Sequence, residues 1–458
     1  MKKGSPVVII ISAIAIVAIV SLLPLSKWSG GWIKDFSLVS DVLKTVGINV
    51  APSDAVEEID PELLKMQSEA EQNIIEENPD EPIDTIISPV KPSRVGDIVM
   101  IEDYTTREVG LKNLKNALDS GRLARIAVVG DSYIEGDIFT QDLRNLLQSA
   151  YGGEGVGFVN MHSDFPGFRR SVRQSGDGWK IYTTNHKADK NYIGISEQYA
   201  KLSAGEATAL YEGAKLFETT KSWSCSRFLF ISPNDATIKV KVSDAEWEDR
   251  AVIGSPEVQC LKIDSLTSKL GIKTKSSSLI AFGVWLDGVA SGVSLDCMSL
   301  RGFSGVTMTK VNQKLSREMA KFIDYDLIIL EFGINAMSST QKKYNVYSSR
   351  MVDVINHVRQ CYPHADILLM GIGDRGEKVG TQVKSMSTAP AMVSAQRDAA
   401  RRAHCLFWDT REAMGGENAV VGWSASGDIN KDYIHMTHKG GARLAGELFK
   451  AIQSDLKQ

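Results

Sequence analysis

The sequence predicts an α/β protein: a doubly wound parallel sheet interrupted by a β-sandwich and preceded by an apolar N-terminal helix. Three observations carry this reading. Short, continuously apolar segments alternate with helical repeats on either side of the chain's middle, the middle itself keeps a period of two, and an uncharged run stands near the start. The chain has 458 residues, 43% hydrophobic and 24% charged, enough for two or three domains with substantial cores. Its formal net charge of −4 supplies no basic field, so nucleic acid is not an expected partner.

Residues 6–25 carry no charge and match the ~20 apolar residues that cross a bilayer as a helix. Lys2 and Lys3 precede the run and favour a cytoplasmic N-terminus, which puts the rest of the chain in the periplasm or outside. No clear small-x-small site follows, so residues 1–26 read as an uncleaved anchor, with a cleaved signal and secretion as the alternative. Residues 27–96 read as a juxtamembrane acidic linker around "EENPDEPID", with a short helix near Pro61, because such a composition buries too little to offset chain entropy. Cys225, Cys260, Cys297, Cys361 and Cys405 are too scattered for a disulfide framework or a zinc site, although one pair could oxidise outside the cytoplasm.

Residues 97–166 form the first part of the α/β domain. Leu111, Leu114 and Leu118 recur at helical spacing, "RIAVVG" reads as a buried strand, and Leu143, Leu146, Leu147 and Ala150 mark a helix after it. Over 167–291 the stretches "RFLFIS", "ATIKVKV" and "IAFGVWLDG" are extended, and Ile238, Val240 and Val242 alternate with Lys239 and Lys241. A β-sandwich is expected there, with one helical segment over 203–217. Residues 292–458 return to alternation: a helix over 311–322, "LIILEFG", a helix through Val352, Ile355 and Val358, "DILLMGI", a helix over 395–403, "CLFWD" and a last helix over 440–452. Apolar strands between helices imply a parallel sheet covered on both faces, whose functional groups gather at the strands' carboxyl ends.

Four blocks stand at such ends. "GDS" supplies Ser132, "LRGFSGVT" supplies Gly302 and Gly305, "EFGINA" supplies Asn335, and "DYIHMTHKGG" supplies Asp432 and His435. A serine hydroxyl needs a neighbouring base, which a histidine provides near neutral pH, and a carboxylate three residues earlier can turn back to orient the imidazole. Backbone N–H groups and a side-chain amide can then stabilise an oxyanion. His438 competes with His435 as the base and Gly302 with Gly305 as the oxyanion glycine. Asp432, His435 and His438 together suggest a metal site, but no further ligand has the spacing for one.

In kind and order these blocks resemble those of the SGNH hydrolases, the GDSL esterase family. The resemblance covers 98–162 and 297–457 and implies a doubly wound, flavodoxin-like parallel sheet. It carries over a catalytic set of Ser132, Asp432 and His435, an oxyanion hole of Ser132, Gly305 and Asn335, and no metal or cofactor. The long gap between Ser132 and Gly305, with "GDSYIEGDIF" and "FWDTREAMGG", is similar to the branch of peptidoglycan O-acetylesterases, in which a carbohydrate-binding-like sandwich is inserted at this point. Tyr133 stands where that branch often has His, and Ala336 where related sequences often carry Glu.

The resemblance implies an envelope-anchored serine esterase that removes O-acetyl groups from a carbohydrate polymer, peptidoglycan or another acetylated glycan. An O-acetyltransferase or lipase-like esterase with the same triad, or a non-catalytic glycan-binding protein, are the alternatives. The expected partners are the glycan and, through the N-terminal helix, the membrane. Trp179, Tyr182 and Trp223 are candidates to stack on sugar rings or else core residues of the sandwich. His162, His186, His357, His364 and His404 are expected to be structural or exposed, and Asp374 with Arg375 to form a surface salt bridge or else to line the site.

Overall fold

The computed structural model describes residues 94–457 apart from 108, 185–187, 204 and 289. The expected anchor over 1–26, the linker as far as residue 93 and His186 lie outside the described residues. Among the described residues no helix is long and apolar enough to cross a membrane.

The α/β layer opens with a short edge strand β1 (Glu102–Asp103), helix α1 (Lys112–Asp119), strand β2 (Leu123–Gly130) and helix α2 (Thr140–Tyr151). Every residue of β2 after Leu123 is buried, as expected of a strand with helices on both faces. Helix α2 turns Leu143 and Leu147 inward at helical spacing, together with Arg144, which is 0% exposed.

The β-rich middle begins earlier than residue 167. β3 (Gly155–Val159) already belongs to it, because it pairs with β13 (Ile280–Asp287) rather than with the α/β sheet. Its sequence, "GVGFV", is too short and glycine-rich to reveal a strand, and Gly155 and Gly157 both take positive φ. Between them run β4 (Val172–Asp177), β5 (Trp179–Thr183), β6 (Gln198–Leu202), β7 (Ala207–Gly213), β8 (Trp223–Ser232), β9 (Ala236–Val242), β10 (Glu248–Val252), β11 (Ser255–Thr267) and β12 (Lys269–Thr274). The helix expected over 203–217 is replaced by β7, which buries Ala207, Ala209 and Tyr211 at period two; exposed Leu210 had obscured that alternation.

Two antiparallel sheets result, ordered β11-β8-β13-β6-β5 with β3 on β13, and β10-β9-β12-β7-β4. Phe228, Phe230, Val284 and Leu286 of the first sheet face Ile238, Val240, Leu270 and Ile272 of the second in the sandwich core. The first sheet is apolar on its other face too: Leu229, Ile231, Phe282 and Trp285 belong to the core of the α/β layer. This explains the contrast between continuous "RFLFIS" and alternating "ATIKVKV", since β8 lies between two cores and β9 has a wet face.

The α/β layer resumes with β14 (Gly292–Ser299), α3 (Gln313–Ala320), β15 (Leu327–Glu331), α4 (Asn345–Cys361), β16 (Asp366–Met370), α5 (Ala389–Arg402), β17 (Leu406–Trp408) and, after two short helices, α6 (His438–Leu456). The sheet order is β14-β2-β15-β16-β17-β1, parallel but for β1. The first parallel strand thus lies between the second and third, the flavodoxin-like arrangement, whose ligand crevice opens beside the first strand. All five cysteines are free, and burial pushes the Cys297 thiol up to about 12.

One buried charge joins the two layers. Asp137 has φ +65° and a carboxylate with no solvent access; it accepts from Nη1 and Nη2 of Arg144 at 2.7 and 2.9 Å, from the hydroxyls of Thr140 and Ser171, and faces Arg169 at 3.5 Å. Burial alone would raise its pKa, but the guanidinium groups of Arg144 and Arg169 and the hydrogen bonds hold the carboxyl far below the usual range. Asp137→Asn leaves Arg144 buried without a counter-charge, which typically costs about 3–5 kcal/mol. We expect a correspondingly lower urea midpoint at pH 7. Because a depressed carboxyl pKa stabilises the native state only above the unfolded-state value, wild-type stability should fall as pH drops below about 4, and the variant should lose that component of the acid limb.

Candidate active site

The carboxyl end of β2 is held in a narrow slot. Gly130 pairs with Ser299 on one side and Glu331 on the other, and a Cβ there would stand 2.5 Å from the Glu331 carbonyl oxygen. The chain then turns sharply. Asp131 Oδ1 accepts the Tyr133 N–H at 2.9 Å and the Glu135 N–H reaches the Ser132 carbonyl at 3.3 Å. Ser132 is presented at the sheet edge with 5% exposure, while Tyr133 points inward, its hydroxyl 3.6 Å from Met414 Sδ.

His435 and Asp432 arrive from the turn before α6. Ser132 Oγ lies 3.3 Å from His435 Nε2, and His435 Nδ1 lies 2.9 Å from Asp432 Oδ2. The second oxygen, Oδ1, accepts the backbone N–H groups of Ile434 and His435 at 2.9 and 3.1 Å. Burial opposes ionisation of Asp432, but the His435 hydrogen bond and these two N–H groups outweigh it and hold the carboxyl below its usual range. The turn needs Tyr433 at φ +62°, strained for a residue with a side chain, and is braced by bonds from Asn430 N–H to His435 O (2.9 Å) and Gly376 N–H to Tyr433 O (2.9 Å).

His438 is not part of this array. It is the first residue of α6, with Nδ1 3.2 Å from Gln141 Nε2, and burial and Arg170 lower its pKa. The Asp432, His435 and His438 trio is thereby split, two toward Ser132 and one toward α2.

Gly305 and Gly302 also separate. Gly305 is buried at φ +91°, where a Cβ would meet the Phe332 ring at 2.7 Å; Gly302 also has positive φ, but its Cβ would meet nothing. Asn335, 1% exposed, is brought close but otherwise engaged: Nδ2 donates to Asp131 Oδ2 at 3.0 Å and to the Phe303 carbonyl at 2.8 Å, while Oδ1 is buried without a partner. In this state Asn335 ties the Ser132 turn to the Gly305 loop instead of aiming an N–H at open space. Asp131, given no role from sequence, is the residue that orients this amide; its place inside Gly-Asp-Ser was the available signal.

Two of the sandwich aromatics take the core alternative, and the expected Asp374–Arg375 surface pair needs correction. Trp223 is fully buried with Nε1 bonded to Ser226 at 2.7 Å, and Trp179 is buried in the sandwich, so neither can stack on a ligand. Tyr182 stacks on Tyr199, ring centroids 5.2 Å apart. Asp374 is 2% exposed and forms an interior ion pair with Arg411 at 3.0 Å, because the 382–385 strand and a short helix at 419–425 close over it; Arg375 donates instead to the Ile334 carbonyl at 2.8 Å, beside Asn335.

Residues 264–443 match the GDSL-like Lipase/Acylhydrolase family. The match starts within β11 and leaves Ser132 upstream of it. A solved structure described as "Peptidoglycan O-acetylesterase in action" is 22% identical, covers 78% of this chain and 99% of its own, and superposes with a TM-score of 0.65, so the two share a fold. A family two carbohydrate esterase from Cellvibrio japonicus is 9% identical over 63% of this chain and 98% of its own, with a TM-score of 0.27. No curated protein sequence matches the chain.

The two glycines provide a test of the loop. Gly305→Ala, strained in backbone and clashing with Phe332, should lower kcat/KM on an aryl acetate by about 100-fold or more, whereas Gly302→Ala, strained but unobstructed, should lose less than about tenfold. Equal losses would show that the loop as a whole, rather than Gly305, matters.

Proposed function

We propose that this chain is a serine esterase that removes O-acetyl groups from a carbohydrate polymer, peptidoglycan or another acetylated glycan. The observation that carries the reading is the unbroken line from Ser132 Oγ through His435 to Asp432, at 3.3 and 2.9 Å. In this mechanism His435 Nε2 takes the hydroxyl proton as Ser132 Oγ attacks the ester carbonyl, and Asp432 stabilises the imidazolium. The N–H groups of Ser132 and Gly305 receive the oxyanion, joined by Asn335 if its amide exchanges the Phe303 carbonyl for the ligand. His435 returns the proton to the departing sugar hydroxyl, leaving an acetyl-enzyme. Water, activated by the same imidazole, then releases acetate.

The acetylated-glycan substrate is supported by the fold shared with a protein described as a peptidoglycan O-acetylesterase. No cofactor or metal has a part in this scheme. We further propose that residues 6–25 anchor the chain in the inner membrane with the esterase outside the cytoplasm, supported by the uncharged run and the lysines before it.

Acetate release from O-acetylated peptidoglycan and from acetylated plant polysaccharide tests the substrate. Ser132→Ala and His435→Ala should each reduce turnover of an aryl acetate by at least ~10³-fold, Asp432→Asn by roughly 10²–10⁴-fold, and His438→Ala by only a few fold. Appearance of the acetyl group on a sugar hydroxyl instead of in solution would identify a transferase, and dependence on His438 in place of His435 would refute the assigned base. For location, protease added to cells with an intact inner membrane but a permeabilised outer one should digest the esterase; protection until the inner membrane is breached would refute the orientation.

A further inference from the structure

The sandwich sends a loop over the Ser132 turn that the esterase reading does not use. It carries Phe165 and Phe168, 74% and 39% exposed, with Pro166 and Gly167 between them. Two phenylalanines on one exposed turn are an expensive surface unless something covers them. They are nevertheless held in place: the Phe168 N–H bonds the Phe165 carbonyl at 3.0 Å and the Phe165 N–H bonds Ser163 Oγ at 3.2 Å. Arg169 clamps the loop's base through the Phe158 and Val156 carbonyls, at 2.7 and 3.1 Å, and faces Asp137. The Phe168 ring lies on Gly136, where a Cβ would stand 2.4 Å from it.

Between this loop and the Ser132 turn is a cleft lined by Glu135, Asn160, Phe165, Phe168, Gln198 and Ser299. Its near wall begins one turn from the nucleophile, since the Glu135 N–H bonds the Ser132 carbonyl. The carboxylates at the cleft are already neutralised, Glu135 by Arg301 at 2.6 Å and Asp137 by Arg144 and Arg169. What remains is aromatic faces, carboxamides and a hydroxyl, which suits an uncharged ligand with apolar ring faces and hydroxyl edges.

We infer that this cleft is a subsite for neutral sugar rings of the substrate chain, flanking the residue whose ester meets Ser132, with Phe165 and Phe168 as its stacking surface. The inference rests on the acetylated-glycan reading and names residues for it on the loop of the sandwich that faces the serine. Phe165 is the discriminating ring because, unlike Phe168, it supports no part of the Ser132 turn.

The test uses Ser132→Ala protein titrated calorimetrically with hexamers of N-acetylglucosamine and of glucose. Phe165→Ala in that background should weaken binding about tenfold or more, Phe165→Trp should restore it to within about threefold, and circular dichroism should show both folded. Failure of both hexamers to bind, equal affinity with Phe165→Ala, or binding of an acidic peptide in their place would overturn the subsite. Aryl acetate hydrolysis by protein with Ser132 intact checks the esterase reading separately. Phe165-dependent hexamer binding without any Ser132-dependent hydrolysis would keep the subsite and remove the esterase; the reverse pattern would remove the subsite alone.

Discussion

The arrangement of the molecule depends on the need to neutralise one buried carboxylate. Asp137 follows the serine by five residues and sits where no water reaches it, so its charge must be met from inside. Arg144 comes from α2, Arg169 and Ser171 from the sandwich, and each can bond it only when its own element is docked. A buried ion pair of this kind adds little net stability over a well-packed apolar substitute. Its effect is geometric: it admits one relation between the Ser132 turn, the helix behind it and the loop in front.

A second constraint is that the site is assembled from four segments far apart in sequence. Gly130 lets the end of β2 approach β15, Asn335 bridges Asp131 to Phe303, and the 428–437 turn folds Asp432 against His435. Local strain is present here, with Tyr433 and Asp137 both in the left-handed region. Bonds within the 428–437 turn support Tyr433, and the Gly376 N–H adds a brace from a neighbouring segment, so local turn chemistry and packing at the strand ends hold the array together.

Much of this was legible in the sequence, and the rest was not for physical reasons. The parallel strands announced themselves because "RIAVVG" and "LIILEFG" are buried on both faces, and Ser132, Asp432 and His435 were singled out by the order of their blocks at strand and loop ends. Partners set by tertiary contact stayed hidden. That Asn335 would bond Asp131, that Asp374 would be sealed beneath 382–385, and that Arg144 would lie in the core depend on segments remote in the chain. The aromatic residues divide by the same cause: Trp179 and Trp223, in strong strands, take the core place that was one of their two expected roles, whereas Phe165 and Phe168, in a loop without periodicity, gave no signal. The masked alternation at Leu210 shows that one exposed apolar residue can turn a strand into an apparent helix.

The central strands β8 and β13 of the sandwich's inner sheet are dry on both faces, with Phe228 and Phe230 looking one way and Leu229 and Trp285 the other. The sheet is also pinned by Asp287 to Arg125 of β2 at 2.5 Å, and by Trp285 and Phe158 to Asp296 of β14 at 2.7 and 2.9 Å. A binding module on a linker could be swapped or cut away and its neighbour would keep its own hydrophobic interior. Here the insertion supplies part of the interior of the α/β layer, and excision would remove Leu229, Ile231, Phe282 and Trp285 and bare the apolar side chains of that layer that pack on them. The inserted sheets and the layer that carries the serine thus share one interior and cannot be separated without cost to both.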